Sequence, residues 1–186
     1  MRARHVVLGL CGFGFAAPIS AQIPLASVPG VTRSYYDVTG SNADQVRAAI
    51  DKARPTDPND GLRVDALTSS HYAWRWPGNG KGGCDLSGAK VTFTATMLLP
   101  RLAQDALLSS MARKRWDAYI MALERHETTH VTNAYSIHGE LADAIKSATC
   151  ETANAAGLQV LAKANAIDLA FDKRTRHGQT EGVPFP

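Results

Sequence analysis

Trp116-Asp117-Ala118-Tyr119-Ile120-Met121-Ala122-Leu123-Glu124-Arg125-His126-Glu127-Thr128-Thr129-His130-Val131-Thr132-Asn133-Ala134-Tyr135-Ser136-Ile137 is the stretch on which the reading of this chain turns. Trp116, Ile120, Leu123, Ala134, Ile137 and Leu141 recur at steps of three and four, the period of an amphipathic helix. Inside that helix, His126-Glu127-Thr128-Thr129-His130 is an H-E-x-x-H segment, which puts both imidazoles on one face about a turn apart. Two nitrogens so placed can grip one Zn²⁺, and the intervening glutamate stands where it can take a proton from a metal-activated water. The plain alternative is a surface helix with two titrating histidines. It fits less well, because Glu127 and His130 lie on or beside the apolar stripe, where half-buried polarity needs a partner.

A catalytic zinc normally takes three protein ligands and leaves one position for water. The metzincin spacing fails here, since Asn133 and Ser136 occupy its glycine and third-histidine positions. His138 would rise about 12 Å beyond His130 on a continuous helix, too far to share the metal. Residues 101–146 read as mostly helical, with breaks near Ser109 and Gly139, and residues 149–171 as a second, alanine-rich helix. If the two form an antiparallel hairpin, the residue level with His130 lies about sixteen residues past the turn, near Asn165. Asp168 and Asp172 then come level with the stretch from His130 to His126, and His177 can fold over the same point. Glu151 stays about 20 Å away. Asp168, Asp172 and His177 are all open as the third group on this argument.

The first half reads as strands around one helix. Arg33 to Val38 alternates; Ser41 can cap a helix over 42–53 with Val46 and Ile50 inward; Pro55 and Pro58 end it. Leu62 to Trp76 reads as strands, with Tyr72, Trp74 and Trp76 on one face as core rather than as a stacking platform for substrate. Pro77 to Gly83 is glycine-rich but lacks G-K-[ST] and a dinucleotide fingerprint, so it is a plain connection. Ala89 to Leu99 alternates Val91, Phe93, Ala95 and Met97 against Lys90, Thr92, Thr94 and Thr96, ahead of Pro100. This strand is the candidate to pair an extended peptide along an open edge. Strands first and helices second make the class α+β.

The start of the chain carries Arg2 and Arg4, an apolar run from Val6 to Ala17, and Pro18-Ile19-Ser20-Ala21. This is the pattern of a signal peptide over residues 1–21, with an apolar run too short for a permanent membrane span. Its removal takes Cys11 and leaves Cys84 and Cys150, two cysteines of an exported chain that predict one disulfide. Residues 22–32, with Pro24, Pro29 and Gly30, read as a leader or linker, and 33–186 as a single domain. Loss of Arg2 and Arg4 lowers the formal charge from +3 to about +1. The short basic clusters at 113–115 and 173–176 adjoin helix ends and read as solvated charge, so no nucleic-acid partner is indicated.

Taken together, these residues resemble a bacterial family of largely uncharacterised exported proteins described as predicted secreted zinc-dependent proteases. The features that carry the resemblance are His126 to His130 with Trp116 before it, and the tail Phe171-Asp172-Lys173-Arg174-Thr175-Arg176-His177-Gly178 followed by Gly182. Upstream they are the Tyr35 strand, the Tyr72–Trp76 strand, Cys84 and Pro100, so the resemblance spans nearly all of residues 33–186. Phe171 stands where the family pattern has tyrosine. The resemblance implies a zincin-like arrangement, a small antiparallel or mixed sheet packed on a long active-site helix and a second C-terminal helix. It also favours His177 as third zinc ligand beside His126 and His130. Asp172 then orients an imidazole from behind or, like Asp168, replaces His177 as ligand, while Thr175 and Gly178 shape the turn. The expected function is a secreted or periplasmic zinc endopeptidase with Glu127 as general base and a peptide or protein as substrate. The alternatives are a non-catalytic exported binding or structural domain, or a zinc amidase acting on cell-wall peptides.

Overall fold

The computed structural model describes residues 23–182 and Phe185, so the signal-peptide reading of residues 1–21 lies outside the described residues. The elements are β1 (Val31–Val38), α1 (Ala43–Ala53), β2 (Leu67–Arg75), β3 (Lys90–Leu102), α2 (Ser110–Ser136), α3 (His138–Lys146) and α4 (Ala153–Thr175). The strands form one mixed sheet in the order β1-β3-β2. β1 runs parallel to β3 from Val31↔Ala95 to Val38↔Leu102, and β2 runs antiparallel to it from Leu67↔Leu98 to Arg75↔Lys90. The class is α+β.

Strict alternation in β3 decides which face is covered. Phe93, Ala95, Met97 and Leu99 are buried, while Thr92, Thr94 and Thr96 face solvent. Val131 of α2 packs into the same cluster, so the long helix lies on the apolar face of the sheet. Val28 joins this cluster from the segment read as a leader. Gly30 lets that segment enter β1: its φ is +69°, and a Cβ there would stand 2.6 Å from the Phe93 carbonyl oxygen. Leu141, Ile145, Ala153 and Val160 join α3 to α4 over Leu86 and Ala89, with Tyr72 and Trp74 packed against them. Trp74 also donates from Nε1 to Asn154 Oδ1 at 2.9 Å; the aromatic face of β2, expected as core, is half-buried, packing on this cluster while Tyr72 and Trp74 also line an open groove.

Several sequence expectations shift. Asn42, not Ser41, caps α1; its side chain accepts from Gln45 N at 3.0 Å, and Gln45 Oε1 accepts from Ser41 N at 2.7 Å. The two neighbours are equally good caps, and reciprocal bonding with Gln45 selects between them. The helical break falls at Ile137 rather than Gly139. β3 does not stop ahead of Pro100 but continues to Leu102. Its pairing with β2 ends at Leu98, so the missing proline donor falls where only β1 remains as neighbour. Most consequentially, β3 is the central strand. Both its edges are occupied, and it cannot pair with a peptide as expected.

Two cross-ties fasten this frame. Cys84 and Cys150 are joined, with Cα atoms 5.8 Å apart, linking the loop after β2 to the turn between α3 and α4. Asp65 accepts from Arg47 Nη1 at 2.7 Å, Arg47 Nη2 at 2.8 Å and Tyr119 Oη at 2.7 Å, and Tyr36 Oη donates to its backbone carbonyl at 2.7 Å. One residue thereby binds α1, β1 and α2. Burial pushes the Asp65 carboxyl up, but the donors from Arg47, Tyr119 and Arg54 outweigh it and hold the group below the usual carboxylate range. A carboxyl depressed in the fold contributes stability above its unfolded value, about 3.9, and loses it as pH falls through the folded value. Asp65→Asn should therefore cost about 2 kcal/mol at pH 7, less than for a fully buried pair. Denaturant melts of both proteins should show that gap at pH 7 and show it closing on acidification below about pH 4.

Candidate metal centre

The long helix and the last helix meet in antiparallel register at two levels. His126 Nε2 lies 3.2 Å from Asp172 Oδ1, and one turn along, His130 Nδ1 lies 2.7 Å from Asp168 Oδ1. A four-residue step upward on α2 meets a four-residue step downward on α4, each a rise of about 6 Å. Both imidazoles turn Nε2 inward, 3.0 Å apart, and His130 Nε2 is 3.1 Å from the same Asp172 oxygen. His126, Glu127, His130 and Asp172 are each at most 7% exposed. Ligands of a tetrahedral ion with bonds of 2.0–2.1 Å stand about 3.3 Å apart, so this triangle has the dimensions of one face of such a site.

The opposite nitrogens fix the rings. His126 Nδ1 meets Glu181 Oε2 at 2.8 Å, as His130 Nδ1 meets Asp168. A carboxylate on one ring nitrogen selects the tautomer that leaves the other as a lone pair. Phe171 stacks on His126 at 4.9 Å between centroids and meets His130 edge-on at 5.0 Å, so the ring at the departing position acts through packing. The tail then wraps the site. Thr175 Oγ1 donates to Phe171 O at 2.9 Å and accepts from Gly178 N at 3.4 Å. Gly178 has φ +78°, and a Cβ there would stand 3.0 Å from His126 Cγ, so only glycine fits.

Charges within the metal-free cluster are strongly perturbed. Burial pulls the His126 and His130 pKa values down, but hydrogen bonds to carboxylates win. Asp172 and Glu181 raise His126, and Asp168 and Asp172 push His130 up to about 10. Asp172 is driven the other way: burial would raise it, and the two imidazoles hold it far below the carboxylate range. Burial raises the Glu127 carboxyl, against the pull of His130. Among the described residues, its Oε2 is buried without a hydrogen-bond partner. A cation meets the electrostatic demand that protons on the imidazoles meet in its absence.

His126, Glu127, His130, Asp168, Asp172 and His177 all line one pocket. Asp172 makes the close trio with His126 and His130, and His177 makes a separate trio with Asp57 and Asp172. The tail turns through left-handed backbone at Arg176 and His177, both with φ 52°, and this carries the ring past the two histidines toward residues 57–60. His177 Nε2 lies 2.9 Å from Asp60 Oδ2, and its Nδ1 lies 3.5 Å from Asp172 Oδ1. His138 packs at a tilt against Tyr135, 5.2 Å between centroids, and Glu151 is exposed at the α3–α4 turn, so neither reaches the site. Glu181, Asp57 and Asp60 escaped the sequence reading. Glu181 follows the D-x-x-T-x-H-G tail closely enough to have been screened, whereas Asp57 and Asp60 sit in a polar turn with no periodicity to mark them.

Buried histidine and aspartate groups of this kind could hold a divalent metal ion, and the donor set fits one: two imidazole lone pairs and a carboxylate on one point. Residues 33–178 match a family described as bacterial proteins of unknown function (DUF922), and the chain belongs to it. No curated protein and no solved structure was found to match the chain.

Two measurements follow from the oriented rings. Asp168→Ala should lower metal affinity about 10–100-fold without removing a ligand, as read by competition with a chelator. Metal affinity should also rise with pH through the neutral range, by about tenfold per unit for each proton displaced, because a ligating imidazole must be neutral. The sign for the metal-free fold is opposite. The contribution of His130 is complete below its ordinary value of 6.5 and is lost as pH rises through about 10.

Proposed function

We propose that this protein is an exported zinc-dependent endopeptidase, with the metal held by His126, His130 and Asp172 and with Glu127 as general base. The observation that carries the reading is Glu127 Oε2, a buried and unpartnered carboxylate oxygen one residue from the first histidine of a convergent donor set. An acceptor kept dry and free is costly unless something that enters the pocket uses it. When bound, zinc supplies a Lewis acid that polarises the scissile carbonyl and makes water acidic. Glu127 takes the proton of the attacking water and delivers it to the leaving amine. Thr68 of β2 donates to the Glu127 backbone carbonyl at 3.3 Å, which ties the strand to the helix at the reacting level.

The substrate path is supported by a groove of about 570 Å³ that runs between β2 and α4 and opens beside His130 and Asp168. Ser69, Ser70 and Tyr72 form one wall and Leu158 and Leu161 the other. β2 ends the sheet, so its outer edge, unlike either edge of β3, is unpaired among the described residues and can take an extended peptide. A structural metal would draw four protein ligands, whereas three donors make up the close trio here. Export is supported by the disulfide, and no helix among the described residues is long and apolar enough to cross a membrane.

The test is Glu127→Gln. The variant should keep its zinc and its melting profile while cleavage of an unfolded protein substrate falls by at least about 100-fold. Equal cleavage by the two proteins, or no zinc in either, would overturn the proposal.

A further inference from the structure

We propose that the pocket holds a second divalent cation, ligated by Asp57, His177 and Asp172, with the Asp172 carboxylate bridging it to the first. The inference rests on the metal site just proposed, and it gives His177 a role that the trio of His126, His130 and Asp172 leaves vacant.

The geometry repeats the device of the first site. His126 and His130 each have one ring nitrogen held by a carboxylate and the other turned to Asp172. His177 has Nε2 held 2.9 Å from Asp60 and turns Nδ1 to Asp172 and Asp57. The remaining separations, 3.5 Å to Asp172 Oδ1 and 3.9 Å to Asp57 Oδ2, are too long for good hydrogen bonds. They suit donors that share an ion at about 2 Å each. The ligand atoms of the three residues all lie within 4.8 Å of one another.

Asp57 supplies an independent sign. It is 3% exposed, and its Oδ1 accepts from Asn59 N at 2.8 Å. Oδ2 faces the pocket, 3.9 Å from His177 Nδ1, where an entering cation can reach it. Among the described residues, no lysine or arginine lines this pocket, whereas Asp57, Glu127, Asp168 and Asp172 do. Left-handed backbone at Arg176, the cap of α4, and at His177 aims this ring into the pocket. Cations that share a carboxylate stand about 3.5–4 Å apart in two-metal hydrolytic sites and clamp both oxygens of the reacting group.

Metal counting decides the matter. Purified protein, stripped with a chelator and re-equilibrated with Zn²⁺, should show two ions per chain by native mass spectrometry. His177→Ala and Asp57→Asn should each show one, with circular dichroism unchanged. In the unsubstituted protein, a second equivalent of Co²⁺ should alter the electron paramagnetic resonance signal of the first through the shared carboxylate. That readout stands even if a variant fails to fold. One ion in the unsubstituted protein overturns the second site and leaves the first intact, and none overturns both. Two ions in both variants, or no effect of the second Co²⁺ on the first, overturns the assignment to these residues.

Discussion

A carboxylate buried among imidazoles cannot be left uncompensated, and Asp172 is in that position. One of its oxygens lies 3.2 Å from His126 and 3.1 Å from His130, and the residue is only 6% exposed. Truncating one partner of such a group strands the other, which is why buried charge pairs are costly to break. The register between α2 and α4 meets this demand, bringing 126 level with 172 and 130 level with 168. The sheet supplies the floor for that alignment by burying Val131 among Phe93, Met97 and Leu99. The cross-tie at Cys84–Cys150 anchors the turn that reverses the chain between the two helices.

What could be read from the sequence was whatever depends on periodicity or on counting along a helix. The stripe from Trp116 to Leu141 announced the long helix, and alternation announced the buried face of β3. Counting past the turn placed Asp168 and Asp172 beside the histidines. That count survived the break at Ile137 because α3 still packs on α4, as Lys163 reaching Glu140 at 2.9 Å shows. Pairing between strands was not legible. Nothing in the residues of β3 says that it lies between β1 and β2, because the order of strands is set by connections and not by local pattern. Neither could the tail's path be read: Asp172 and His177 are five residues apart, and left-handed backbone at Arg176 and His177 turns the second ring toward residues 57–60.

The tail therefore does more than close the chain. Thr175 ends α4 by bonding back to Phe171, Gly178 passes against the face of His126, and Glu181 returns to its Nδ1. Each step depends on a residue with little freedom to change: a hydroxyl, an absent side chain, a carboxylate. Local order here comes from successive backbone turns, His177 N to Asp172 O at 3.1 Å, Thr180 N to Thr175 O at 3.1 Å and Glu181 N to Gly178 O at 2.9 Å, with Thr175 Oγ1 accepting from Gly178 N.

The donors come from widely separated parts of the chain, and this has a kinetic consequence. His177 and Asp60 stand 117 positions apart in sequence yet touch in space, and His126 and Asp172 are 46 apart. No partial chain holds the centre: a segment ending at α2 has two histidines on one helix and nothing opposite them. Closing such long loops is slow and must precede the contacts that reward it. A ligand that binds only where these donors have converged adds its binding free energy to the assembled topology and to no intermediate that lacks α4. A chain built this way brings these side chains together only when its last helix has docked.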